Sequence, residues 1–251
     1  MEPAAVVEAA CLLVEARRSG KLAERFPPAS RPASADEADA IQRSVARDLG
    51  EGLAGWKVAL SDQYGVLRGA ILSSRLFPDR AEAPALLMPA LGLEAEIAFR
   101  CRRDLPPRDV DYSRAEIEER VTPFAGIEVV DSRFRDAASI PVIERAADCM
   151  SNGAFVVGAE RSDWRDIDLS VLSASLLVNG RPAVDRRIGG HATKDPVIPL
   201  IALVNVLRAT TGLFAGQIVT TGTYTGVTRC EPGDYVEATF DGFGAAAVHL
   251  V

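Results

Sequence analysis

The chain is expected to fold as one α+β unit, a helical N-terminal segment packed on a larger mixed β-sheet core, and three observations point there. First, residues 4–25 and 35–49 are rich in Ala, Leu, Val, Glu and Arg and carry helix start and stop signals. Second, from Gly55 onward the texture changes to short apolar runs punctuated by Gly and Pro, the pattern of strands and turns. Third, 251 residues, 48% of them hydrophobic, are enough for one substantial core, and no repeat, low-complexity tract or linker divides them. The reading is a single catalytic domain, with residues 1–54 as the helical segment and 55–251 as a β-rich core.

Each element has a local reason. The first helix runs from residue 4 to about 25, before Pro27, Pro28 and Pro32 break the pattern. Ser34 with Glu37 has capping-box spacing and opens a helix through Gln42 to about Leu49, where Gly50 stops it. Gly55-Trp56-Lys57-Val58-Ala59-Leu60 reads as a strand. Ser113 with Glu116 sets a further helix start. Asp195-Pro196 supplies an N-cap followed by proline at the first helical position, with Gly212 as the stop. The tail reads as strands over 217–221, 235–240 and 245–251, with turns at Pro232-Gly233-Asp234 and Asp241-Gly242.

Composition excludes several classes. The net charge of −7 comes with no basic stripe, which argues against nucleic acid or an anionic membrane as partner. The N-terminus lacks the positive region of a secretory signal, and no apolar run is long enough to span a bilayer. Cys11, Cys101, Cys149 and Cys230 are scattered, so reduced thiols and a cytoplasmic location are expected. With only His191 and His249, a histidine metal site or nucleophilic triad is hard to assemble. Lys21, Lys57 and Lys194 are the only lysines among 28 basic residues, which draws attention to each.

In Leu93-Glu94-Ala95-Glu96-Ile97-Ala98-Phe99, strand alternation puts Leu93, Ala95, Ile97 and Phe99 on one face and both glutamates on the other. Taken alone, the pair fits a solvated strand face as well as a cation site. Glu128 changes the balance, because it sits inside the apolar run Gly126-Ile127-Glu128-Val129-Val130, where a carboxylate is seldom left without a partner. Three carboxylates of this kind suit a hard divalent ion such as Mg²⁺ or Mn²⁺. Lys57, between Trp56 and Val58, reads either as a strand lysine snorkelling to the surface or as a cation of lowered pKa beside a metal, able to move protons. Asp148-Cys149-Met150-Ser151-Asn152-Gly153 and Thr220-Thr221-Gly222-Thr223-Tyr224-Thr225-Gly226 each read alone as turns; the second offers hydroxyls and N–H groups but lacks the ending of a phosphate loop.

Taken in order, GWKVAL, LGLEAEIAFR, GIEVVDSRF, DCMSNGAFVVG, IVTTGTYTG and PGDYVEATFDGFG resemble the fumarylacetoacetate hydrolase superfamily, in its 2-keto-4-pentenoate hydratase and 4-oxalocrotonate decarboxylase branch. The resemblance runs from the Ser34 helix to the C-terminus. It implies a mixed, rolled β-sheet core with flanking helices, assembled as a dimer or larger homo-oligomer. It implies Glu94, Glu96 and Glu128 as ligands of Mg²⁺ or Mn²⁺, and Lys57 with Glu96 as the catalytic pair. Asp148, Ser151 and Thr221 fall on the lining of the substrate pocket. The substrate implied is a small 2-oxo acid: hydration of a 2-hydroxy-2,4-dienoate leads, decarboxylation of a 2-oxo-3-enedioate follows, and a non-catalytic scaffold subunit is the alternative from another class. A C–C hydrolase is disfavoured, since such enzymes use an N-terminal histidine and none precedes His191. One departure stands out. Many hydratases of the branch carry acids after the lysine strand, whereas Val66 to Phe77 holds none, leaving Arg68 or Arg75 as candidates to meet a second carboxylate.

Overall fold

The computed structural model describes residues 1–251. Its helices are α1 (Pro3–Ser19), α2 (Ala35–Leu49), α3 (Arg114–Glu118), α4 (Val142–Ala147) and α5 (Val197–Leu207). Its strands are β1 (Leu53–Ser61), β2 (Gly65–Leu72), β3 (Leu76–Pro78), β4 (Ala81–Ala83), β5 (Gly92–Cys101), β6 (Val121–Val130), β7 (Asn152–Glu160), β8 (Ser173–Val178), β9 (Arg181–Ile188), β10 (Ile218–Thr223), β11 (Thr228–Arg229), β12 (Tyr235–Phe240) and β13 (Gly244–Leu250).

The helix ends follow their caps. Ser34 Oγ accepts the Glu37 N–H and Gly50, at φ 71°, closes α2, so this helix has the limits read from sequence. At Ser113 and Glu116 both bonds of the capping box form. Helix α1 stops earlier than expected, at Ser19, because Gly20 turns left-handed there and donates to the Ala16 carbonyl. Helix α5 starts at Val197, one residue later than expected, with Pro196 at the N-cap rather than the first helical position, although Asp195 Oδ1 accepts the Val197 N–H at 2.9 Å; it ends at Leu207, and Gly212 closes the turn beyond it by donating to the Leu207 carbonyl at 2.8 Å. Helix α4, absent from the sequence reading, has six residues and no side-chain cap.

The core is mixed and curled, as expected, and divides into two sheets. One has the order β2-β1-β10-β5-β6-β7-β3, with β11 also on β5; the other has the order β4-β13-β12-β8-β9. Pairing is parallel at β1/β10, β3/β7 and β4/β13 and antiparallel elsewhere. Leu93, Ala95, Ile97 and Phe99 of β5 join Val236, Ala238, Phe240, Val248 and Leu250 of the second sheet in one buried cluster. That packing fixes the parity of β5 and leaves Glu94 and Glu96 on the opposite face.

Helices α1, α2 and α4 pack together in a second cluster around Leu13, Ile41, Phe134 and Ile143, joined by Leu67 of β2. Strand β2 is a sheet edge, and Gln42 of α2 fills its unpaired backbone groups. The Gln42 amide donates to the Arg68 carbonyl at 2.8 Å and accepts the Ala70 N–H at 2.7 Å, as a neighbouring strand would. No helix is long and apolar enough to cross a membrane.

Candidate metal centre

Register alone assembles the site. Glu94 of β5 lies directly across from Glu128 of β6, and Glu96 lies across from Gly126. Thr220 of β10 pairs with Ala98 on one side and with Lys57 of β1 on the other. Paired residues share a face, so Lys57, Thr220, Glu94, Glu96 and Glu128 all project from the same side of the large sheet. Gly126 is required there: a Cβ would stand 2.4 Å from the Phe155 ring.

The three glutamates are buried, Glu96 and Glu128 completely, and their oxygens lie within 4.8 Å of one another. Glu128 Oε2 is 2.7 Å from Lys57 Nζ, and Glu128 Oε1 accepts the Asn152 amide at 3.0 Å. Glu96 Oε2 accepts a short hydrogen bond from Thr220 Oγ1, while Glu96 Oε1 is buried with no partner. Three ionised carboxylates facing one ammonium would leave two negative charges uncompensated in a buried site. Burial first, and then the neighbouring Glu128, pushes the Glu94 carboxyl up to about 7. Glu96 is raised well above the ordinary carboxylate range by the same two causes. The residues fit a divalent cation: an all-oxygen set, the matching charge deficit and one orphaned inward oxygen.

Burial alone would lower the Lys57 pKa, but Glu128, Glu96 and Glu94 together outweigh burial and raise it; a divalent cation among those glutamates would act in the opposite sense.

Two cavities meet at Lys57. One, of about 300 Å³, is lined by Glu94, Glu96, Thr193, Thr221 and Thr223 among others. The second, of about 190 Å³, is lined by Lys57, Val142, Arg145, Ala146, Met150 and Ser151. Ser151 and Thr221 therefore stand where a pocket lining was expected. Asp148 does not: it lines neither cavity and is fully buried, accepting from the Arg133 N–H at 2.9 Å, from Ser132 Oγ at 3.2 Å and from Arg133 Nε in a short bond. The short chain segment after Asp148 explains the difference. Cys149, Met150 and Ser151 all have left-handed φ, at 51°, 53° and 59°, and swing Ser151 to the cavity while Asp148 stays behind the wall. The Cys149 carbonyl leans on Gly69, where a Cβ would be 2.3 Å away. Gly69 is the register partner of Lys57.

Arg68 and Arg75, the sequence's candidates for a second carboxylate, line neither cavity. Arg68 is buried in an ion pair with Asp39. Sequence reasoning also passed over three contributors. His191 is buried, and its Nε2 donates to the Thr221 carbonyl at 2.8 Å while Nδ1 accepts from Thr193, a tautomer set by the carbonyl. Burial lowers its pKa and keeps it neutral. Asn152 holds Glu128, and Arg145 faces the second cavity. Their one sequence signal was scarcity for His191, one of only two histidines, set after Gly189-Gly190.

A curled mixed sheet carrying three converging buried carboxylates offers an all-oxygen site of the kind that suits a divalent cation. The chain belongs to the fumarylacetoacetate (FAA) hydrolase C-terminal family, whose profile matches residues 81–251. It is 29% identical over 262 residues to a 2-keto-4-pentenoate hydratase of Paraburkholderia xenovorans, covering 98% of this chain and 94% of that one. It is 31% identical over 249 residues to a 2-keto-4-pentenoate hydratase of Paraburkholderia phymatum, covering 94% of each. Among solved structures, 4-oxalocrotonate decarboxylase from Pseudomonas putida, in complex with magnesium and adipate, shares the fold at a TM-score of 0.85 and 18% identity, over 100% of this chain and 99% of that one.

Proposed function

We propose that this protein is a divalent-metal-dependent hydratase of small 2-hydroxy-2,4-dienoates, giving 4-hydroxy-2-oxo acids, with Glu94, Glu96 and Glu128 holding Mg²⁺ or Mn²⁺. The convergence of three buried carboxylates, with Glu96 Oε1 left without a partner, carries the reading. Its hydratase-named relatives span nearly the whole chain. When bound, the ion supplies Lewis-acid polarisation of the substrate's keto and carboxylate oxygens.

The chain's own groups do the rest. Lys57, which lines both cavities, gives a proton to C5 as the enol hydroxyl gives up its own, so the dienol becomes the α,β-unsaturated ketone with no net proton change. Glu96, whose Oε1 has no partner, takes a proton from the water adding at C4 as a proton is delivered to C3. Thr221 holds the wall of the first cavity, its hydroxyl donating to the Ile97 carbonyl at 3.2 Å while its own carbonyl is fixed by His191. Ser151 offers a hydroxyl to the substrate from the second cavity. The same proposal takes the chain as a homo-oligomer, consistent with exposed Leu86 and Ile188, which sedimentation would measure.

A metal-dependent assay with 2-hydroxypenta-2,4-dienoate and 2-oxohex-3-enedioate in parallel tests it. Loss of dienoate absorbance without gas release is expected; silence with both acids overturns the reading. Release of carbon dioxide would establish the second reading, decarboxylation, which a 28% identity over 127 residues to a 4-oxalocrotonate decarboxylase favours.

A further inference from the structure

Strand β10 is irregular where it passes the glutamate centre. Thr220 pairs with Ala98 of β5 and Thr223 with Glu96, so Thr221 and Gly222 together face the single residue Ile97. Such a β-bulge breaks the ladder and leaves backbone groups in need of other partners. The Ile97 carbonyl accepts from the Thr221 hydroxyl at 3.2 Å, and the Thr221 carbonyl accepts from His191 Nε2 at 2.8 Å. Gly222, at a φ of 122° that favours glycine, turns its N–H to Glu96 Oε2 at 3.4 Å, beside the short bond from Thr220 Oγ1. Two donors of this stretch thus hold one oxygen of Glu96, and Oε1 is the oxygen left free.

His191 is itself held on both sides. Its ring is buried and lies 5.3 Å from the ring of Tyr224, whose hydroxyl donates to the Leu169 carbonyl at 2.9 Å. The Thr193 N–H donates to Nδ1 at 3.3 Å, which leaves the ring proton on Nε2, where the bulge needs a donor. His191 lines neither cavity, although Gly190, Ala192 and Thr193 around it line the first. We infer that His191 is a positioning residue: its Nε2–H fixes the Thr221–Gly222 bulge, and the bulge orients the Glu96 carboxylate. The inference rests on the reading of Glu96 as a metal ligand and proton acceptor. Groups that orient a metal's ligands cost roughly 10- to 100-fold in affinity or activity when lost.

The test compares His191→Gln, His191→Asn and His191→Phe with wild type in the full-length protein. The Gln side-chain nitrogen reaches the place of Nε2 and can donate to the Thr221 carbonyl, whereas the Asn nitrogen falls at the place of Nδ1 and cannot. Phe keeps a ring against Tyr224 and makes neither bond. Electron paramagnetic resonance reads Mn²⁺ binding to the metal-free proteins, and kcat and KM are measured with 2-hydroxypenta-2,4-dienoate and Mg²⁺. Asn and Phe are expected to weaken Mn²⁺ binding about 10-fold and to lower kcat about 10- to 100-fold with little change in KM, and Gln to recover most of both. A residue that only packs would lower the melting temperature and leave the Mn²⁺ affinity and kcat of the folded protein unchanged. That result overturns the assignment, as does equal impairment in Gln and Asn, a comparison that decides alone if the Phe variant does not fold. Wild-type protein that binds no Mn²⁺ defeats the metal-centre reading beneath the inference, whereas wild-type binding that no substitution of His191 alters defeats the role of His191 alone.

Discussion

Strand β6 runs into two buried charge clusters within a few residues, and they are built on opposite terms. At Glu128 three carboxylates face one lysine, burial lifts two of them out of the ordinary range, and an oxygen of Glu96 has no partner. Just past the end of β6, Arg133 and Arg17 face Asp131 and Asp148, and the Asp148–Arg133 pair is closed by a network of bonds that also takes in the Asn152 carbonyl at 3.1 Å. Both clusters are buried and both are rich in acids. The first, unbalanced in charge, leaves a glutamate oxygen without a partner; in the second, balanced one Arg133 ties the segment 131–133 to the end of α4, while Arg17 Nε is the group left without one.

Breaking the balanced cluster should have the largest effect. Asp148→Ala leaves the buried Arg133 with only the 3.5 Å contact to Asp131, and should cost about 3–5 kcal/mol of stability in urea unfolding. A loss below about 1 kcal/mol would mean that the network is decorative. The unbalanced cluster should respond in the opposite sense. Glu96→Gln should lower metal-dependent kcat/KM by roughly 100- to 1000-fold while raising the melting temperature of the metal-free protein near neutral pH, since Gln is neutral without the proton that folding must otherwise place on Glu96. A drop in metal-free stability would contradict the asymmetry.

Proton linkage sharpens the contrast further. Glu94 sits at about 7 in the folded protein, above its ordinary 4.5, so the folded state binds the proton more tightly than the unfolded chain. Stability from this group is therefore full below pH 4.5 and is lost as pH rises to about 7, by an amount on the order of 3 kcal/mol. Melting curves in chelator should fall across that window, and saturating Mg²⁺ should flatten them. A chelator curve that climbs with pH would refute the assignment. The smallest effect is expected at Asn152, which touches both clusters: its side chain serves Glu128 and its backbone serves Arg133. Asn152→Ala should weaken metal binding about tenfold, read by calorimetry, with a stability change of only about 1 kcal/mol.

What was legible in the sequence was local. Ser34 with Gly50, and Ser113 with Glu116, announced helix limits because caps act within one turn. Alternation along β5 separated Glu94 and Glu96 from the core residues between them for the same reason. Glu128 stood out because it interrupts an apolar run. Helix α4 was not legible: six residues without a side-chain cap give periodicity too little length to register. Nor was the insertion of β10 between β1 and β5, which brings Thr220 to Glu96 across a long stretch of chain. Asp148 was misplaced because its neighbours share one turn in sequence but opposite sides of a wall in space, a consequence of three left-handed residues that are not glycine. Arg145 carried no pattern at all.

That left-handed turn has a consequence for how the enzyme's tolerance for substrate size can change. Its back rests against Gly69, where even a methyl group would collide with the Cys149 carbonyl at 2.3 Å. Enlarging residue 69 would force the turn and β2 apart, and Met150 and Ser151 on that turn line the second cavity. A residue that lines neither cavity thus bears on the shape of one from behind its wall.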